Sequence, residues 1–290
     1  MVLPMTAYAD TGPKPSVAVD FKGLENETYY ATLLSQTAST GPFNATIEDD
    51  LIYVPENVSA EYLDEYIEDY NLRCKFASYE DVDGYYFLDF YGDCSETSQF
   101  VWSYHPPSNF KILLYFPEKD SFMVSAEIYE SYAFRSYYTA YITEEIQAAA
   151  NYNGGMTVEK SYNYVREIIF FLIRIIVTIV IELLIALLFG FRAKKQILVI
   201  LIVNIITQFV LNILLNVINY NYGALMFLIT YVLAEVGIII LEAVVYYIYL
   251  NKYSTKKKIR KWIAPLYAAA ANIASFCIGV FIVMVTPWLF

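Results

Sequence analysis

Four ionisable side chains stand inside long apolar runs of this 290-residue chain: Arg174, Glu182, Glu235 and Glu242. An ionised group at the middle of a hydrocarbon layer costs about 2.5–3.5 kcal/mol even on a lenient insertion scale, so each needs a partner or a task. Asn204, Gln208, Asn212 and Asn216 follow one another at i+4, which puts one polar ladder along one helix face. Asn272 and Ser275 add amide and hydroxyl groups to the last apolar run. Carboxyls and amides at this spacing can exchange protons, bind a small solute, or line a pocket among helices. The structural alternative is that amides and paired charges simply hold the helices together.

Depth along each run sorts these residues into two layers. Counted from the basic ends of the runs, Glu182, Asn204 and Glu242 lie about eight residues in, roughly 12 Å at helical rise, with Asn272 slightly deeper. Arg174, Glu235 and Asn212 lie about 15–16 residues in, roughly 23 Å. An Arg174–Glu235 ion pair is expected to neutralise the second layer. Glu182 and Glu242 share the first, where two ionised carboxylates would repel.

Other chemistry-bearing residues are sparse. His105 is the single histidine, so there is no His-ligated zinc motif and no Ser–His pair among the apolar runs. No Gly-rich phosphate loop is present, and neither an enzyme activity nor a cofactor is expected. Asp81-Val82-Asp83-Gly84 resembles the opening of a calcium loop, but the remaining ligand ladder and the distal Glu are missing, so no metal site is expected. Cys74 and Cys94 form a candidate disulfide, and Cys277 sits alone in an apolar run. The 29 tyrosines could line a sugar or peptide site, or serve as the core and rim of a β domain.

The elements that must position these residues follow from hydropathy and charge. Ile168–Phe189 is a 22-residue run with only two charges, about 33 Å long as a helix and sufficient to cross a bilayer core of about 30 Å. Four spans are expected, at about 168–190, 196–218, 224–250 and 262–289, forming a four-helix transmembrane bundle. The loops after the first and third spans hold nine Lys/Arg and no acid, whereas Asn219–Gly223 is uncharged. The positive-inside rule then places both basic loops in the cytoplasm, with the N-terminal domain and the C-terminus outside.

Residues 10–163 carry 26 Asp/Glu against 8 Lys/Arg, a net charge of −18, while residues 164–290 carry 4 against 11, a net of +7. So acidic an N-terminal half repels nucleic acid and anionic lipid. Residues 1–9 read as the remnant of a signal peptide, with Ala7-Tyr8-Ala9 fitting a small-x-small cleavage site. Residues 10–155 read as an extracytoplasmic, antiparallel β-sandwich-like domain with one or two short helices, and 156–167 as a linker and helix start. Strands are expected near 16–21, 28–34, 85–91, 100–104, 110–116 and 122–128 from β-branched and aromatic alternation between Pro- and Gly-marked turns. One helix is expected with Tyr62, Leu63, Tyr66, Ile67 and Tyr70 as its apolar stripe and Asn57 or Ser59 as its cap. Thr143–Ala150 is a second, shorter candidate.

The chain resembles a family of membrane proteins from clostridia-like Gram-positive bacteria over nearly its whole length. The resemblance is carried by Asp10–Ser16, by Phe110–Pro117, by Glu182 to Arg192 and by Asn204–Gln208. It implies an exported domain on four transmembrane helices in the cell membrane, and it assigns no catalytic residue. The expected role is a binding or sensing module whose outer domain meets an envelope or peptide ligand. The helices would join a larger membrane complex or a homo-oligomer in the bilayer. The alternative is a small transporter or channel subunit that uses the two polar layers.

Overall fold

The computed structural model describes residues 13–46, 62–143, 156–250, 252–253 and 260–285. The chain divides into two compact units, Met1–Tyr162 and Asn163–Phe290. The signal-peptide remnant, the Asn57/Ser59 cap and the Thr143–Ala150 helix, apart from Thr143 itself, lie outside the described residues.

The first unit is rich in β-sheet. One sheet has the order β11–β10–β1–β6, from β11 (Met156–Lys160), β10 (Arg135–Ile142), β1 (Ser16–Lys22) and β6 (Gln99–Trp102). A second runs β5–β2–β7–β8, from β5 (Gly92–Asp93), β2 (Tyr30–Ser35), β7 (Asn109–Phe116) and β8 (Ser121–Val124), with β9 (Tyr129–Glu130) also paired to β7. β3 (Ser39–Thr40) and β4 (Phe43–Asn44) form a small separate pair. The sheets are not uniformly antiparallel as expected, because β1 runs parallel to β10.

Period-2 alternation in β7 shows why this chain folds so. Phe110, Ile112, Leu114 and Phe116 face a core shared with Val17, Val19 and Phe21 of β1 and with Tyr138 and Ala140 of β10. Leu113 and Tyr115 point to the opposite face, where Leu34, Phe87 and Val124 join Phe76 of helix α1 (Leu63–Ala77). Phe76 is wholly buried, and its ring stacks on Phe87 at 5.4 Å and on Tyr91 at 5.2 Å. The tyrosine stripe expected to seat this helix is only half-buried, with Tyr62 itself exposed.

Three expectations need correction here. Residues 85–91 form no strand. Tyr86 makes a single bridge to Ser35, and Asp89, at φ 54°, turns the chain out of the extended run. Residues 156–160, read from sequence as linker, are strand β11. The Cys74–Cys94 disulfide is not formed, and both thiols are free. Cys94 is buried in the core on one face of the second sheet, whereas Cys74 rides on α1, whose Phe76 packs on the other face.

Among the described residues, the second unit holds three long apolar helices, each long and apolar enough to cross a membrane: α2 (Tyr164–Leu188), α3 (Lys194–Tyr249) and α4 (Ile263–Val285). Asn163 caps α2 by accepting from the Arg166 amide at 3.0 Å, so that helix begins four residues before the apolar run. α3 has 56 residues, which would stretch about 84 Å if straight. It doubles back instead. Gly223 takes φ 76° and ψ −175°, a conformation suited to glycine alone, and Gln196 Nε2 reaches the Leu250 carbonyl at 2.8 Å. α4 presents Ala264, Ala268 and Ala271, all buried, and such small residues let helices approach closely.

Candidate functional site

The helical unit is polar inside and apolar outside. Glu182, Asn204, Gln208, Asn212, Glu242 and Asn272 are at most 3% exposed, while Leu188, Leu233, Val210 and Phe281 on the same helices are more than 60% exposed. That inversion suits a hydrocarbon surround, where an outer Leu loses nothing and a polar side chain must turn inward.

The layer predicted around Glu182 and Glu242 is assembled. Glu242 Oε2 accepts from Asn272 Nδ2 at 2.7 Å, and its Oε1 lies 3.0 Å from Thr207 Oγ1. Asn204 Nδ2 donates to the Tyr246 hydroxyl at 3.2 Å and to the Ile200 carbonyl at 3.1 Å. The Tyr267 hydroxyl donates to the backbone carbonyl of Glu182 at 3.3 Å, and the rings of Tyr246 and Tyr267 pack 5.4 Å apart. Glu182 itself is fully buried, and neither of its carboxylate oxygens has a hydrogen-bond partner. Its charged neighbours are Glu242 and Glu235, both acidic, and Asn204 stands beside it.

The second layer differs from expectation. Arg174 does not pair with Glu235; its Nη2 donates to Asn216 Oδ1 at 3.2 Å. Arg174 lies on α2 and Asn216 at the end of the amide ladder on α3, so the ladder draws the guanidinium toward itself. Glu235 has Tyr231 one turn earlier as its neighbour, and its Oε2 is unpartnered. Asn212 Nδ2 donates to the Gln208 carbonyl at 2.8 Å, leaving its own Oδ1 free.

Sequence reasoning missed Thr207, Tyr246, Tyr267 and Gln196. Tyr246 stands at i+4 from Glu242, the same spacing that marked the amide ladder, so the signal was present in a residue type read only for the β domain. Ser275 donates to the Asn272 carbonyl at 3.0 Å and serves the helix rather than the cluster.

Two further groups lie in the β-rich unit. Lys111, in the middle of β7 and 2% exposed, places its Nζ 3.0 Å from both Asp81 oxygens and 2.5 Å from Asp83 Oδ2. The ammonium thus fills the space between the carboxylates of the calcium-like turn. Burial alone would lower its pKa, but the bonds to Asp83 and Asp81 outweigh that and hold it above the ordinary lysine value. His105 packs edge-on against Tyr104 at 4.5 Å, and among the described residues no cluster of metal-ligating side chains surrounds it. A cleft of about 350 Å³ lies where α1 meets the second sheet, lined by Tyr30, Asp64, Glu68, Asn71, Lys75 and Tyr115 among others.

Compared with protein-family models, with curated proteins and with solved structures, the chain matches none.

Proposed function

We propose that this chain is a transport or channel subunit of a cell membrane, moving a proton or a small cation along the polar seam of its helical unit. One observation carries the reading. Among the described residues, eight side-chain polar atoms of that unit are buried with no hydrogen-bond partner, from Arg174 Nε to Asn272 Oδ1. At about 1–3 kcal/mol each, they would cost as much as the whole net stability of a typical domain, about 5–15 kcal/mol. A polar occupant of the seam would meet these open valences.

In this reading α3 crosses twice by folding at Gly223, which gives four crossings and a four-helix bundle. The basic loops then face the cytoplasm, while the β-rich unit, its two sheets layered as a sandwich, and the C-terminus face outward. The resemblance to membrane proteins of clostridia-like bacteria agrees with this arrangement. The test is flux in proteoliposomes. Purified protein should pass protons or alkali cations, and Glu182→Gln should cut the flux by about tenfold or more. Flux no greater than in empty vesicles overturns the reading.

A second reading has one observation in its favour. The cleft beside α1 combines tyrosine faces with Asp64, Glu68 and Lys75, a lining suited to an envelope or peptide ligand. The β-rich unit would then act as the binding or sensing part of a larger membrane complex.

A further inference from the structure

The unpartnered side-chain atoms of Glu182, Asn204 and Asn272 are all oxygens. Asn204 and Asn272 each turn Nδ2 to the carbonyl four residues back, Ile200 at 3.1 Å and Ala268 at 2.9 Å. A carbonyl can only accept, so both amide orientations are fixed, and each Oδ1 is left facing away from it as a free acceptor. With the two oxygens of Glu182 this makes four unpartnered oxygens on side chains no more than 1% exposed. The amide hydrogens of Asn272 go to Glu242 and Ala268, and those of Asn204 to Tyr246 and Ile200.

We propose that this layer binds one dehydrated alkali-metal cation, held by the Glu182 carboxylate and the Asn204 and Asn272 side-chain carbonyls; the proposal rests on the transport reading and names the occupant of its seam. Hard oxygen ligands suit such an ion. Both Glu242 oxygens already accept from Asn272 and Thr207, so Glu182 is the carboxylate whose oxygens are free to meet the ion. No group of three or more Asp, Glu, His or Cys comes together among the described residues to hold a divalent metal.

Two other occupants satisfy the site less well. A water donates two hydrogens but leaves the Glu182 charge uncompensated in a low-dielectric interior, which costs several kcal/mol. A proton on Glu182 removes the charge but provides one hydrogen bond among four acceptors. A cation meets both demands. It also lies where Tyr246 and Tyr267 wall the layer and where, among the described residues, the charged neighbours of Glu182 are acidic, with Arg174 bound to Asn216 in the other layer.

The test uses the full-length protein in detergent. Thermal unfolding is followed in choline chloride while sodium or potassium chloride replaces it at constant ionic strength. A ligand that binds only the folded state raises the midpoint with a saturating dependence on its concentration. At least one alkali ion should do so, and magnesium chloride should not. Glu182→Gln should abolish the response and raise the midpoint in choline, because it removes an uncompensated charge. If that variant does not fold, Asn204→Leu should weaken the response by about tenfold. Equal midpoints in choline, sodium and potassium overturn the proposal, as does a response that survives Glu182→Gln. Proteoliposomes separate the two ideas. Proton flux that Glu182→Gln blocks, with no alkali-ion effect on unfolding, removes the cation but keeps the transport reading. No flux at all removes that reading as well.

Discussion

Lys111 shows how one residue can close off a function that its neighbours suggest. Asp81, whose side chain is wholly buried, is compensated by that ammonium and by the Asp83 and Tyr85 amides at 3.1 and 3.3 Å. Breaking a buried pair by removing one partner costs about 3–5 kcal/mol, so Lys111→Met should destabilise the β-rich unit by that order in denaturant unfolding followed by tryptophan fluorescence. The lysine pKa is raised on folding, so its contribution is complete below the ordinary value of 10.5 and is lost as the pH climbs past the raised one. Alkaline titration of the native protein should show that loss, and Lys111→Met should not. The cysteines give a second residue-scale test. Burial pushes the Cys94 thiol up to about 12, while Cys74 is partly exposed. Iodoacetamide at pH 8 should therefore modify Cys74 and spare Cys94 until the protein is denatured. Protection of both thiols in the denatured, unreduced protein would instead restore the disulfide.

At the scale of elements, Gly223 is the turning point of the helical unit. A non-glycine residue in that conformation costs about 1–3 kcal/mol, and a straight continuation would pull Gln196 away from Leu250. In a chain carrying Gln196→Cys and Leu250→Cys, oxidation should join the two halves of α3. Adding Gly223→Leu should reduce the yield severalfold. Undiminished crosslinking would mean that the turn does not depend on glycine. This turn was legible in sequence because Asn219–Gly223 interrupts the apolar pattern with polar residues and a glycine. The β elements were harder to read. β7 was plain from Phe110, Ile112, Leu114 and Phe116, yet β10, with the sequence RSYYTAYI, has polar residues on its buried face and offers no clean alternation. Its Ser136 is buried because the hydroxyl bonds the Ala133 backbone, which no pattern of apolar residues reveals.

The whole molecule pairs a −18 segment with a +7 segment, and that asymmetry was readable at once because charge is a sum over composition. The polar layers were also visible, since depth along a helix is a count of residues. Which partner each side chain takes was not. Rotation of each helix about its axis decides whether Arg174 meets Glu235 or Asn216, and the apolar runs are too uniform to report it.

The pairing of β1 with β10 also sets an order of events. Ser16 meets Arg135 across 119 positions of chain, with β1 placed between β10 and β6. Contacts so distant in sequence close late, because loop entropy must be overcome before they return any stabilisation. During synthesis, the first strand must wait, without its parallel neighbour, until Ile142 has left the ribosome. The last strand, β11, follows at Met156–Lys160, and α2 begins at Tyr164 only four residues later. The sheet is therefore completed at nearly the moment the first apolar helix emerges. A stall or truncation before Ile142 would leave β1 as an exposed, aggregation-prone edge.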